Sequence, residues 1–219
     1  MIILCTHNSG GVGKTTLAIH TAGVLASQVG RTTLLIDCDD QADSWQFYAK
    51  RMPNDKELLK VGDRLSILDN QKREKITNLV NLEEYDHIVI DIDSEFLNTL
   101  QIILTNDPDI ILIPVNKSQR RKALNKLDIV LSAMSKLESK YGYSPKVIIV
   151  PLGVTQELIL ERLEKINNKP QSCSVALPIR DLEDEMSLAV YEDRNYIWNY
   201  TDCQDLYQAF SLLLEIERI

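Results

Sequence analysis

The segment Asn8-Ser9-Gly10-Gly11-Val12-Gly13-Lys14-Thr15-Thr16 brings glycines, one lysine and two threonines together in a pattern suited to phosphate chemistry. Glycines let a loop backbone curl so that its N–H groups face an anion at a helix N-terminus. Lys14 supplies a point charge for the β- and γ-phosphates of a nucleotide, and the Thr15 hydroxyl is suited to ligate Mg²⁺. A glycine-rich turn that only capped a helix would need neither the lysine nor the paired threonines. Asn8 stands where the first glycine of Gly-x-x-x-x-Gly-Lys-Thr belongs, so the ordinary pattern is broken there. Three aspartates, Asp37, Asp39 and Asp91, sit at or just past the ends of apolar runs. Aspartate commonly caps such ends. Three of them beside a phosphate loop, at the edge where α/β sheets bind ligands, favour a site instead. The histidines His7, His20 and His87 and the cysteines Cys5, Cys38, Cys173 and Cys203 are scattered, with no Cys-x-x-Cys pair. Neither a histidine-based centre nor an iron–sulfur cluster is indicated.

Residues so placed need strands to end at them and a helix to start at the loop. Short apolar runs predict buried parallel strands at Ile2–Thr6, Thr32–Asp37, His87–Ile92, Asp109–Val115, Lys146–Pro151 and Ser174–Leu177. Helical patterns alternate with them: Lys14–Val29 ending near Gly30, Gln119–Tyr141 with a stripe of Leu124, Leu127, Leu131, Met134 and Leu137, then 155–168 and 202–217. This alternation predicts an α/β fold, three layers around a mostly parallel central sheet. Between Arg51 and Leu82 the pattern is weak, with only a short strand near Leu58–Val61 and a helix near Arg73–Leu82 expected. Trp45, Phe47, Tyr48 and the group Tyr191, Tyr196, Trp198 and Tyr200 read as packing residues. The 219 residues, 44% hydrophobic and 26% charged, exclude a collagen, a disordered tail or a disulfide miniprotein and suit one domain over 1–219.

The resemblance to a known family is carried by several segments at once. Gly10-Gly11-Val12-Gly13-Lys14-Thr15-Thr16 resembles the deviant Walker A box of the ParA/MinD ATPases, a branch of the P-loop NTPase fold. Leu34-Leu35-Ile36-Asp37-Cys38-Asp39-Asp40-Gln41 is similar to the family's Asp-x-Asp-Pro-Gln, with Asp40 in the proline position and Ala42 in the glycine position. Tyr85 to Asp91 resembles a Walker B strand, Leu112-Ile113-Pro114-Val115 the next core strand, and Leu177-Pro178-Ile179-Arg180, followed by Glu183 or Glu185, a later family segment. The resemblance implies that Ser9 to Thr16 and Pro178 bind ATP and that Thr15, Asp37 and Asp91 surround Mg²⁺. It further implies that Asp39 positions the attacking water and that Lys14 serves catalysis. Where the family has prolines around the switch loop, this chain has Asp93 and Ser94. The family's signature lysine, which crosses an ATP-sandwiched dimer, is replaced by Ser9; in this the chain resembles the carboxysome-positioning ATPases of cyanobacteria. Lys117, directly after a strand, is the expected substitute for that charge, with Arg180 in reserve.

The implied function is a compact ParA-type ATPase that dimerises on ATP. It would bind DNA non-specifically and position a plasmid, a chromosome locus or a carboxysome-like organelle until an adaptor protein stimulates hydrolysis. A metabolic P-loop kinase or ATP-dependent ligase, and an assembly factor with little hydrolysis, are the alternatives. The net charge of −8 opposes DNA binding in bulk. Lys117 to Lys146, however, holds eight basic and two acidic residues, a local +6. No apolar run is long enough for a membrane span and the start lacks a secretory pattern, so a cytoplasmic protein is expected; the resemblance implies that it is nucleoid-associated when ATP-bound. The last segment carries Asp205, Glu215 and Glu217 against Arg218, the wrong sign for an anionic lipid surface.

Overall fold

In the computed structural model, which describes residues 1–215, apolar runs become the strands of one eight-stranded sheet. The strands are β1 (Ile2–Cys5), β2 (Thr33–Cys38), β3 (Leu58–Lys60), β4 (Leu65–Asp69), β5 (His87–Ile92), β6 (Ile110–Asn116), β7 (Lys146–Leu152) and β8 (Cys173–Val175). Their order is β3-β4-β2-β5-β1-β6-β7-β8; only β3 runs antiparallel to its neighbour. The central strands are buried on both faces, which is why they read as unbroken apolar runs. Within them the period of two still sorts side chains. Ile3, Leu35, Leu112 and Val150 face one apolar layer, while Leu4, Ile36, Ile113 and Ile149 face the other.

The first layer is built on α1 (Lys14–Ala26), with α2 (Asp43–Ala49) and α7 (Asp205–Leu212) packed over it. The second holds α3 (Phe96–Asn106), α4 (Arg120–Tyr141) and α5 (Gln156–Glu164). A short α6 (Glu183–Ser187) runs into a π-helical turn, Leu188–Asp193. On α4 the predicted stripe faces inward, with Leu127, Leu131 and Met134 buried and Leu124 and Leu137 half-buried. Trp45, Phe47 and Tyr48 and the later aromatics Tyr196 and Trp198 join the α1-side core.

Four elements go beyond the sequence expectation: β4, α2, α3 and α6. The helix expected near Arg73–Leu82 is absent; two 3₁₀ turns, Ile76–Asn78 and Leu82–Glu84, stand there instead. Asn70 diverts this stretch by bonding its side chain to the backbone of Glu74 in both directions, at 2.9 and 3.0 Å. Helix α1 stops at Ala26, short of Val29, because the Ser27 hydroxyl takes the Val24 carbonyl at 2.6 Å; Gly30 still makes the left-handed turn into β2. Strand β8 is short because Pro178, lacking an N–H, cannot continue the ladder. The final residues of the helix expected over 202–217, with Glu217 and Arg218, lie outside the described residues.

Candidate nucleotide site

Strand β1 delivers the chain to a loop that opens directly into α1. Gly13 has φ of 97°, and a Cβ there would lie 2.7 Å from Leu152 Cδ1, so only glycine fits this turn. No side chain caps α1, which leaves its first N–H groups directed into the loop. Lys14 is 7% exposed and its Nζ donates to Ser94 Oγ at 3.0 Å and to the Ser9 carbonyl at 3.4 Å. Burial lowers the lysine pKa, and the charges of Asp91, Asp39 and Asp93 oppose that shift. A buried ammonium folded back over its own loop is poised to exchange these weak partners for phosphate oxygens.

The ends of β2 and β5 lie side by side, with Asp37 paired in register to Asp91. Asp91 is fully buried and accepts from the Ser44 hydroxyl at 2.7 Å, while its other oxygen has no partner. Burial pushes its pKa up to about 6, against the pull of the Ser44 and Thr15 hydroxyls and the Lys14 charge. An unpartnered, buried carboxylate oxygen next to a threonine hydroxyl fits a hard divalent cation. Asp37 is spent differently: its oxygens accept from the backbone N–H groups of Asp39 at 3.0 Å and Trp45 at 2.7 Å. It anchors the loop and the first turn of α2, shaping the site from behind, with one N–H accepted by each of its oxygens. Burial, and next the Asp91 charge, raise its pKa well above the carboxylate range. Asp39 accepts from the Gln41 N–H at 3.0 Å in a tight turn at the rim.

Beside the loop lies a cavity of about 210 Å³, lined among others by Asn116, Leu152, Arg180, Asp181, Met186 and Tyr191. Asn116, at the end of β6, donates to the Gly11 carbonyl at 2.8 Å and to Glu183 at 3.1 Å, fastening the phosphate loop to α6. Asn116 and Ser44 escaped the sequence reading, since an isolated polar residue at a strand or helix end carries no spacing signal, and Ser94 was marked there only as a switch-loop residue. Tyr191, expected as packing, faces this cavity because the π-helical turn turns it away from the core.

One expected residue is placed otherwise, and a second stands where expected but is already paired. Pro178 is outside the cavity: it lines a separate groove with Ile148 and Leu213 because Ile179, bridged to Leu152, turns the chain so that Arg180 to Glu183 enter the cleft. Lys117 does stand at the ligand edge, but its Nζ pairs with Asp181 at 2.5 Å. Arg180 binds the Asp202 carbonyl and the Asp205 carboxylate. It is Lys126, from α4, that reaches the loop backbone, donating to the Asn8 carbonyl at 2.6 Å.

A glycine loop between β1 and α1, a buried lysine and strand-end carboxylates on a parallel sheet define a P-loop nucleotide-binding protein. The family model of the CobQ/CobB/MinD/ParA nucleotide binding domain matches residues 3–171, and the chain belongs to this family. Solved structures agree on the fold. An ATP complex of a Cyanothece McdA variant superposes with a TM-score of 0.73 at 17% identity, covering 100% of this chain and 97% of that one. MinD of Aquifex aeolicus gives 0.64 at 22%, covering 100% and 98%. A plasmid partition protein of Borrelia burgdorferi gives 0.61 at 19%, covering 97% and 96%. No curated protein sequence matches the chain significantly.

Proposed function

We propose that this chain is a ParA-type ATPase that uses Mg·ATP as a switch to position or partition a cargo. The observation that carries the reading is the convergence of buried Lys14 with the unpartnered oxygen of Asp91 at the start of α1. Thr15 and Asp91 are the residues to hold Mg²⁺, which when bound neutralises charge between the β- and γ-phosphates. Ser9 to Thr16 cradle the phosphates with backbone N–H groups, and Lys14 leaves Ser94 to hold the γ-phosphate. Asp39 orients the attacking water at the rim. The cavity beside Asn116 takes the nucleoside. The McdA complex, which holds ATP, supports the choice of nucleotide.

On this reading two subunits close over ATP, the dimer holds DNA without regard to base sequence, and an adaptor that stimulates hydrolysis releases it. The cargo is a plasmid, a chromosome locus or a carboxysome-like organelle. Lys117, freed from Asp181, is the residue proposed to supply the charge that Ser9 lacks.

Nucleotide binding followed by fluorescent ATP analogue, together with phosphate release, tests the reading. Lys14→Ala should abolish binding, and Asp39→Ala should bind ATP normally while hydrolysis falls on the order of a hundredfold. An Asp39→Ala protein as fast as the parent removes Asp39 from this role, and a parent that binds no ATP removes the function itself. Lys117→Ala should weaken ATP-dependent dimerisation, read by sedimentation, and adding Ser9→Lys should restore it.

A further inference from the structure

Two loops flank the phosphate loop: one after β2, carrying Asp39 and Asp40, and one after β5, carrying Asp93 and Ser94. A single side chain from a third segment joins them. Arg73 Nη2 donates to Asp40 at 2.8 Å and to Asp93, while Nη1 donates to the Gln71 carbonyl at 2.8 Å. The Arg73 and Asp93 side chains are only 13% and 15% exposed, whereas Asp40 is 73% exposed. The strong end of the bridge is therefore at Asp93 and the weak end at Asp40.

The arginine is held in place by the fold. Its backbone has φ of 55°, a left-handed conformation that a non-glycine residue adopts only when its surroundings impose it. Asn70 imposes it: the Asn70 carbonyl accepts from the Arg73 N–H at 2.8 Å, and the Asn70 N–H donates to the Asp37 carbonyl at 2.8 Å. From the other side Gln101 of α3 donates to the Arg73 carbonyl at 3.1 Å. Asp93 is equally constrained, accepting from the Glu95 N–H at 2.8 Å and from Asn98 at 2.7 Å. The next residue, Ser94, is the one that receives Lys14. Both carboxylates stand where proline was expected from the resemblance. A proline stiffens a loop by fixing φ; here a shared guanidinium does it by cross-linking.

We propose that Arg73 is a positioning residue of the ATP site, tying the loop of Asp39 to the loop of Ser94 so that the two move as one unit. The proposal rests on the hydrolytic reading above for its consequence but not for its geometry. Losing the tie leaves the phosphate loop intact, so ATP should still bind. It lets Asp39 drift relative to the γ-phosphate, and misplacement by about 1 Å can cost on the order of a hundredfold in rate.

The experiment compares the parent with Arg73→Ala, Arg73→Lys, Asp93→Asn and the double variant Arg73→Ala/Asp93→Asn. Expected for Arg73→Ala is a kcat lower by roughly tenfold to a hundredfold, with KM for ATP changed less than about twofold. Arg73→Lys should recover only part of it, since an ammonium lacks the planar fork that spans two carboxylates. The double variant should be no slower than Arg73→Ala, because both changes cut one link. Amide hydrogen exchange on the nucleotide-free proteins should quicken together in 39–44 and 92–96 for Arg73→Ala, with α1 and the central strands unchanged. Unchanged exchange, exchange in one loop only, or a general quickening of the core each overturns the tie, as does an additive double variant. If the parent turns over no ATP, the hydrolytic reading fails and the exchange experiment alone still decides the tie.

Discussion

His20 is a residue whose chemistry the site does not use and the core does. It is buried against Phe210, stacked at 4.8 Å, and both ring nitrogens are engaged. Nδ1 donates to the Thr16 carbonyl at 2.7 Å and Nε2 accepts from the Ile197 N–H at 3.0 Å. That pair of bonds fits only the neutral ring, and burial lowers its pKa from 6.5 to about 4. The unfolded chain gains the proton near pH 6.5 and the folded chain only near pH 4. Stability is therefore complete above pH 6.5 and falls as pH drops towards 4, by roughly 3 kcal/mol. His7, lowered to about 4 chiefly by burial and next by Lys14, titrates in the same window. Urea unfolding of the parent and His20→Gln across pH 4 to 7 separates them. The variant should be less stable at pH 7, and its deficit should shrink by about that amount on acidification. Parallel curves would contradict this.

At the scale of elements, α1 must fit between the sheet and an aromatic layer. Gly23 lies inside its last turn, and glycine within a helix costs up to about 1 kcal/mol relative to alanine. Its reason is Tyr196: a Cβ at Gly23 would sit 2.4 Å from Tyr196 Cε1, and Tyr196 is itself stacked on Trp198 at 4.7 Å and bonded to Tyr48 at 2.8 Å. The overpacking outweighs the propensity gain, so Gly23→Ala should lose about 1–3 kcal/mol, read from thermal unfolding. A Gly23→Ala protein as stable as the parent would show that the ring shifts freely. The same helix opens at the glycine loop of the candidate site, so the variant also reports whether that site tolerates a displaced α1.

For the whole molecule, net charge and local charge point in opposite directions. The chain is at −8, yet α4 exposes Arg120, Arg121, Lys122, Lys136 and Lys140 along one element. Lys146, at the far edge of the sheet, is paired with Glu215 at 2.6 Å and does not belong to that face. If α4 is the DNA surface, binding should be lost steeply with salt, each neutralised phosphate contributing about −0.9 to the log–log slope. Replacing Lys136 and Lys140 by alanine should weaken binding equally on all sequences and flatten the slope. ATP-loaded protein that retains no DNA even at low salt would sink this surface. Among the described residues no helix is long and apolar enough to cross a membrane.

The phosphate loop, the strand-end aspartates and most of the strands were legible in the chain because each is written in consecutive residues, whereas the order of the strands in the sheet was not. A glycine run before Lys14, or an apolar run ending in Asp91, needs no distant partner to be recognised. β4, α2 and α6 were less visible, as short segments whose burial is set by neighbours rather than by their own pattern, whereas α3 does carry one, with Thr99, Ile102, Ile103 and Asn106 buried at helical spacing. What only the tertiary structure decided are the pairings made across crossovers: Arg73 with Asp93, Asn116 with Glu183, Ser44 with Asp91, Gly23 with Tyr196. It also decided that Pro178 leaves the cleft while Tyr191 enters it. The physical reason is the parallel sheet. Its helical crossovers bring the carboxyl ends of the parallel strands to one edge, so residues far apart in sequence become neighbours there, at positions that no local spacing encodes.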